Sequence, residues 1–224
     1  HAFIMHGGGA SPVDYENLFR QLNIKSARFI DHNNLEPAYV NIFQRAFGRI
    51  SSELGKFDVF HDMFNIPYVA SNEALFWKMH DEYLRISIED YFKYAKGKSS
   101  EKYIFIGHSH GASLRAGDYI ERHSSKKPLK VFLMPCLDPQ HKSDKYKILL
   151  INAENDTDGC STNPYNLTLM KADKSITVAE GDHYSFLRSN YFSAFKNDSQ
   201  FKRDHENQVV QIINSFIGNS PANE

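Results

Sequence analysis

The residues best placed to do chemistry are Gly107-His108-Ser109-His110-Gly111. They follow an apolar run, Tyr103 to Ile106, and precede a stretch that reads as the opening of a helix. A strand that feeds straight into a helix must turn sharply. The residue at the apex then takes a strained backbone conformation, with its side chain pushed outward. Glycines flank such an apex because neighbouring Cβ atoms would collide there. Ser109 is thus expected at the carboxyl end of a sheet, beside the N–H groups of a helix N-terminus. A hydroxyl in that position becomes a nucleophile once a base is within reach. The plainer alternative is a glycine turn with an exposed serine. His108 and His110 lie too close in sequence to act as the base of Ser109 and are expected to shape its pocket.

The elements that must position this serine alternate along the chain. Strands are predicted at Ala2 to Met5, Ser26 to His32, the run before the turn, Leu129 to Met134, Tyr146 to Ile151 and from Ile176. Helices are predicted at Pro12 to Leu22, Ala38 to Glu53, Tyr83 to Lys96, from the serine to about Ser124, and Phe186 to Ile217 with a polar break near Asn197. This is an α/β pattern: a mostly parallel sheet with helices on both faces. A length of 224 residues suits one domain over 1–224. Residues 56–80 have no clear period and include Phe64 and Trp77, the one tryptophan. They are read as a lid or pocket wall, with a small satellite core as the alternative.

The chain resembles the α/β-hydrolase family in four pieces that fall in that family's order. The first is Phe3-Ile4-Met5-His6-Gly7-Gly8-Gly9, a strand and a glycine loop. The second is the serine turn, which matches the family's nucleophile elbow. The third is the strand from Ile148 that ends in Asn155-Asp156. The fourth is the strand from Ile176 that ends in Gly181-Asp182-His183. The order Ser, Asp, His is the one this fold carries. The resemblance implies Ser109 as nucleophile, His183 as base and Asp156 as the acid that orients it. Asp158 remains the alternative acid, and Ala153 stands where the family usually has glycine. It also implies an oxyanion hole from the N–H groups of Gly8 and His110, with Gly7, Gly9, His108, Phe64 and Trp77 around the substrate. The family's sheet usually begins with two further strands, so this one is expected to be reduced at its N-terminal edge. The short connection between residues 138 and 145 leaves no room for a large cap after the sixth family strand.

Other classes fit less well. A net charge of −1 gives no reason to propose nucleic acid, and no apolar run approaches the roughly 20 residues of a membrane span. The glycine loop does not satisfy Gly-X-Gly-X-X-Gly, which sets aside a nucleotide site. No metal or cofactor is expected, because the chemistry implied needs none. Cys136 and Cys160 are read as two thiols, with a disulfide as the alternative. His1 in place of methionine is read as a trimmed or processed start, which a signal peptide could have preceded. Glycosylation-type triplets occur at Asn155, Asn166 and Asn197. A glycan on the first would crowd Asp156, which leans the reading away from a glycosylated secreted protein and toward the cytoplasm. The expected activity is cleavage of a carboxylic ester or thioester of a small molecule. Peptidase, amidase or acyltransferase chemistry, and a non-catalytic binding protein, are the alternatives.

Overall fold

Apolar strands with bulky residues on alternate sides need cover on both faces. The computed structural model describes residues 1–7, 10, 12–30, 77–78, 80–94, 99–138, 145–156, 171–187, 193, 195 and 197–219. Among these, six strands form one all-parallel sheet in the order β2-β1-β3-β4-β5-β6. They are β1 (Ala2–Met5), β2 (Ala27–Ile30), β3 (Ile104–His108), β4 (Leu129–Leu133), β5 (Ile148–Ala153) and β6 (Lys174–Val178).

One face carries Phe3, Met5, Phe105, Phe132 and Leu150, packed with Leu84 and Ile88 of α2 (80–94) and Tyr119 and Ile120 of α3 (Ala116–Glu121). The other carries Ile4, Ile106, Val131 and Ile151. It meets Leu18 of α1 (Glu16–Arg20) and Val209, Ile213 and Phe216 of α4 (Ser199–Asn219). Each such side chain contributes about 1.5–3 kcal/mol by leaving water. β3 and β4 are buried along their whole length, whereas β2 and β6, at the two ends of the sheet order, begin exposed. Lys130, in the middle of β4, is fully buried. Its ammonium donates to the Leu114 carbonyl and lies 4.7 Å from the centre of the Tyr146 ring.

Two expectations change. No helix opens directly after Ser109: Ser109–Gly111 is a 3₁₀ turn, Ala112 is extended, and α3 begins only at Ala116. The Arg115 N–H instead bonds to Ser113 Oγ at 3.2 Å, a local turn that delays the helix. The last helix begins at Ser199, after the polar break, rather than at Phe186. The sequence-predicted helix at 38–53 and residues 56–76 of the lid segment lie outside the described residues.

The strand order fixes where a ligand site belongs. From β1 the chain crosses to β2 on one side, then returns to β3 on the other. Loops leaving β1 and β3 therefore diverge, and the crevice between them opens at the carboxyl end of the sheet.

Candidate active site

The serine turn sits at that crevice. β3 ends at His108 in an extended conformation, and Ser109 then takes φ 52°, in the left-handed region. For a residue with a side chain this costs on the order of 1–3 kcal/mol and persists only where the surroundings enforce it. The enforcement is steric. A Cβ on Gly111 would lie 2.3 Å from the Met5 carbonyl oxygen, and one on Gly107 would lie 2.6 Å from Ala112 Cα. The turn is thus wedged against the end of β1 with no space for side chains at its flanks. Met134 (φ 41°) and Glu180 (φ 60°), which follow β4 and β6, are likewise left-handed, so backbone strain gathers at the carboxyl end of the sheet.

The loop after β4 folds over the turn. The Cys136 N–H donates to the Ser109 carbonyl at 2.9 Å, and Cys136 Sγ lies 3.6 Å from Ser109 Oγ. Cys136 is half of a disulfide, which corrects the reading of two thiols. The physical reason is adjacency: β4 pairs with β5, so the loops that leave them emerge side by side. A disulfide sulfur carries no hydrogen, so the serine hydroxyl is the only donor available in that contact. Cys160, the chain's other cysteine, lies outside the described residues.

Beyond β4 in the strand order, at the same end of the sheet, stand Asp156 and His183. A short turn after β5 closes with Asp156 N–H on the Ala153 carbonyl (3.3 Å), and Asn155 N–H reaches the Gly181 carbonyl at 2.8 Å. These bonds bring the two loops together. His183 Nδ1 lies 3.0 Å from each carboxylate oxygen of Asp156, and both side chains are almost wholly buried. A carboxylate accepts only, so Nδ1 carries the proton and Nε2 is left with its lone pair in the neutral ring. The loop itself is pinned from behind. Asp182 accepts the Tyr184 N–H and the Ser193 hydroxyl, each at 2.9 Å. Ser185 Oγ accepts the Asp182 N–H at 3.1 Å and meets His205 Nδ1 at 2.9 Å, while His205 Nε2–H donates to the Ala179 carbonyl.

The remaining candidates divide. Ser109 Oγ rests against Cys136 rather than on the imidazole. The His108 ring is fully buried, 4.8 Å from that of His183. His110 is half-buried, and its ring lies 6.1 Å from Trp77, which in turn meets His80 at 5.5 Å. Burial, reinforced by His183, pushes the His110 imidazole down to about 4; burial, reinforced by His110, pushes His80 down to about 3. Trp77, His80, Asp81, Ser113 and Arg115 line a small recess beside the turn, where Arg115 pairs with Asp81 at 2.9 Å. Gly7 directs its N–H at Tyr15 Oη, 3.2 Å away. Gly8, Gly9, Phe64 and Asp158 lie outside the described residues.

No protein-family model and no curated protein matches the chain. Among solved structures it is similar to dienelactone hydrolase from Anabaena variabilis. That likeness has a TM-score of 0.53 and 14% sequence identity, over 97% of this chain and 84% of that one. The fold is that of the α/β-hydrolases.

Within the α/β-hydrolase fold β1 is an interior strand, between β2 and β3. Three residues that bear on the site carried little sequence signal. Tyr15 and His205 sit in ordinary helical patterns, and His80 falls at the end of the aperiodic stretch 56–80. Cys136 did have one, its place just after a strand next to that of Ser109. Among the described residues no helix is long and apolar enough to cross a membrane.

Proposed function

We propose that this chain is a serine hydrolase that cleaves a carboxylic ester or thioester through an acyl-enzyme. The observation that carries the reading is the buried Asp156–His183 pair, at 3.0 Å, at the same end of the sheet as a strained serine. In this reading Asp156 holds the imidazole with Nδ1 protonated and stabilises the imidazolium that forms. His183 Nε2 takes the Ser109 proton as Oγ attacks the carbonyl. To reach it, Oγ leaves Cys136 by rotation about χ1, a change between staggered wells. The oxyanion is held by the N–H groups of His110 and Gly8. His183 then donates its proton to the leaving group, and activates the water that releases the acid.

The name of the similar solved structure describes hydrolysis of a lactone, a cyclic ester, which favours esters over amides as substrates. Trp77 beside His110 supports an apolar or aromatic acyl group. A disulfide ordinarily persists in oxidising compartments, so Cys136 weighs against the cytoplasmic leaning.

A second reading has one observation in its favour. Ser109 Oγ faces the Cys136 sulfur, as it would in a fold member that binds a ligand without turning it over. A series of p-nitrophenyl esters of increasing acyl length separates the two. The hydrolase reading expects saturable turnover that varies with acyl length and is lost in Ser109→Ala. Turnover that is absent, or equal in that variant, sinks it.

A further inference from the structure

Behind the candidate base runs a chain of hydrogen bonds that the proposed reaction does not itself use. Gly7 N–H meets Tyr15 Oη at 3.2 Å, Tyr15 Oη meets His108 Nδ1 at 2.6 Å, and His108 Nε2 meets the His183 carbonyl at 3.0 Å. The direction of every bond follows from its ends. A carbonyl only accepts, so His108 Nε2 carries the proton. In a neutral ring Nδ1 is then an acceptor, so the tyrosine hydroxyl donates to it. The phenol oxygen in turn accepts from Gly7. Tyr15 and His108 are each 1% exposed. Burial pushes the His108 imidazole down and the Tyr15 phenol up, so both stay neutral and one proton arrangement survives.

The same imidazole also steadies the His183 region through its ring. His108 stands 4.8 Å from the His183 ring and meets Tyr184 and Phe186 edge-on, at 5.6 and 5.1 Å. Tyr15 meets Phe186 edge-on as well, at 6.5 Å. One polar path thus joins the loops after β1, β3 and β6, and it ends on the backbone of the residue whose imidazole must face Ser109.

We propose that Tyr15 and His108 are positioning residues: a relay of fixed direction that sets the carbonyl, and with it the imidazole, of His183. The proposal rests on the serine-hydrolase reading. It differs from a packing role in requiring the Tyr15 hydroxyl and not only its ring.

Tyr15→Phe keeps the ring and removes that hydroxyl. Three quantities are measured at pH 7 on the full chain. They are the tautomer of His108 by long-range proton–nitrogen spectra of histidine-labelled protein, the His183 Nδ1–H resonance, and the second-order rate of modification by a fluorophosphonate. The wild type is expected to show His108 as the neutral Nε2–H tautomer. In Tyr15→Phe the Nε2–H tautomer is expected to persist, because the His183 carbonyl still accepts, with a displaced His183 Nδ1–H resonance and modification slower by about tenfold, the scale of one buried hydrogen bond. An Nδ1–H tautomer in the wild type overturns the relay, and this holds even where the variant fails to fold. So does a variant with an unmoved His183 resonance and an unchanged rate. Failure of the wild type to react with the probe counts against the hydrolase reading alone, because the tautomer and the resonance are read without turnover.

Discussion

The two sides of the candidate site are built by different physics. On the side of His183, position is set by hydrogen bonds to side chains: Asp156 in front, and Asp182, Ser185, Ser193 and His205 behind. On the side of Ser109, position is set by sterics. Glycines press against the backbone of β1, and the serine is held left-handed. Side-chain bonds can be removed one at a time with the backbone left standing. A wedge of backbone on backbone cannot be loosened without moving the strand end. The difference teaches that chemistry and stability are separable on the histidine side and inseparable at the turn.

The largest effect is expected from Asp156→Asn. It is nearly isosteric, so the buried volume is kept, but an amide can donate to Nδ1 and stabilise the wrong tautomer. Ester turnover should fall on the order of 10³–10⁴-fold, while the denaturant midpoint moves little. A fall in turnover matched by collapse of the fold would erase the contrast.

Gly111→Ala probes the other side. Its Cβ would lie 2.3 Å from the Met5 carbonyl and 2.5 Å from that of His6, both fixed backbone. A loss of about 1–3 kcal/mol in unfolding free energy is expected, together with slower turnover. If activity drops at unchanged stability, the wedge is looser than the distances imply.

A third effect is one of pH. His108, His110 and His80 are held below the ordinary imidazole range by burial, His110 to about 4 and His80 to about 3. The unfolded chain takes up protons below about pH 6.5 while the folded chain does not, so stability is full above that pH and falls as pH drops toward 4. Each such group costs up to about 1.4 kcal/mol per pH unit in that window. Chemical denaturation at pH 7 and pH 5 checks the sign. A protein that becomes more stable at pH 5 would require these rings to be charged when folded.

The sequence carried the sheet because both of its faces are covered: β3 opens on an apolar run and β4 is broken only by Lys130, as buried parallel strands require. The edge strand β6 was placed two residues late because Lys174 and Ser175, at its exposed start, carry no apolar signal. The turn at Ser109 was legible from its glycines, but not the 3₁₀ step after it, which depends on the local bond between Ser113 and Arg115. Asp156 and His183 could be nominated because each follows a strand. Tyr15 could not, since its partners Gly7 and His108 come from the loop after β1 and the end of β3, and His108 lies 93 residues away. The disulfide of Cys136 goes against the reading of two thiols for a related reason: adjacency of strand ends is a property of sheet order, which spacing along the chain does not encode.

The central claim is that Ser109 is an activated nucleophile. Intact mass after incubation with a fluorophosphonate, on the wild type and on Ser109→Ala, tests it most directly. The account predicts one adduct on the wild type and none on the variant. A well-folded wild type without an adduct, or a variant that is labelled equally, would contradict it.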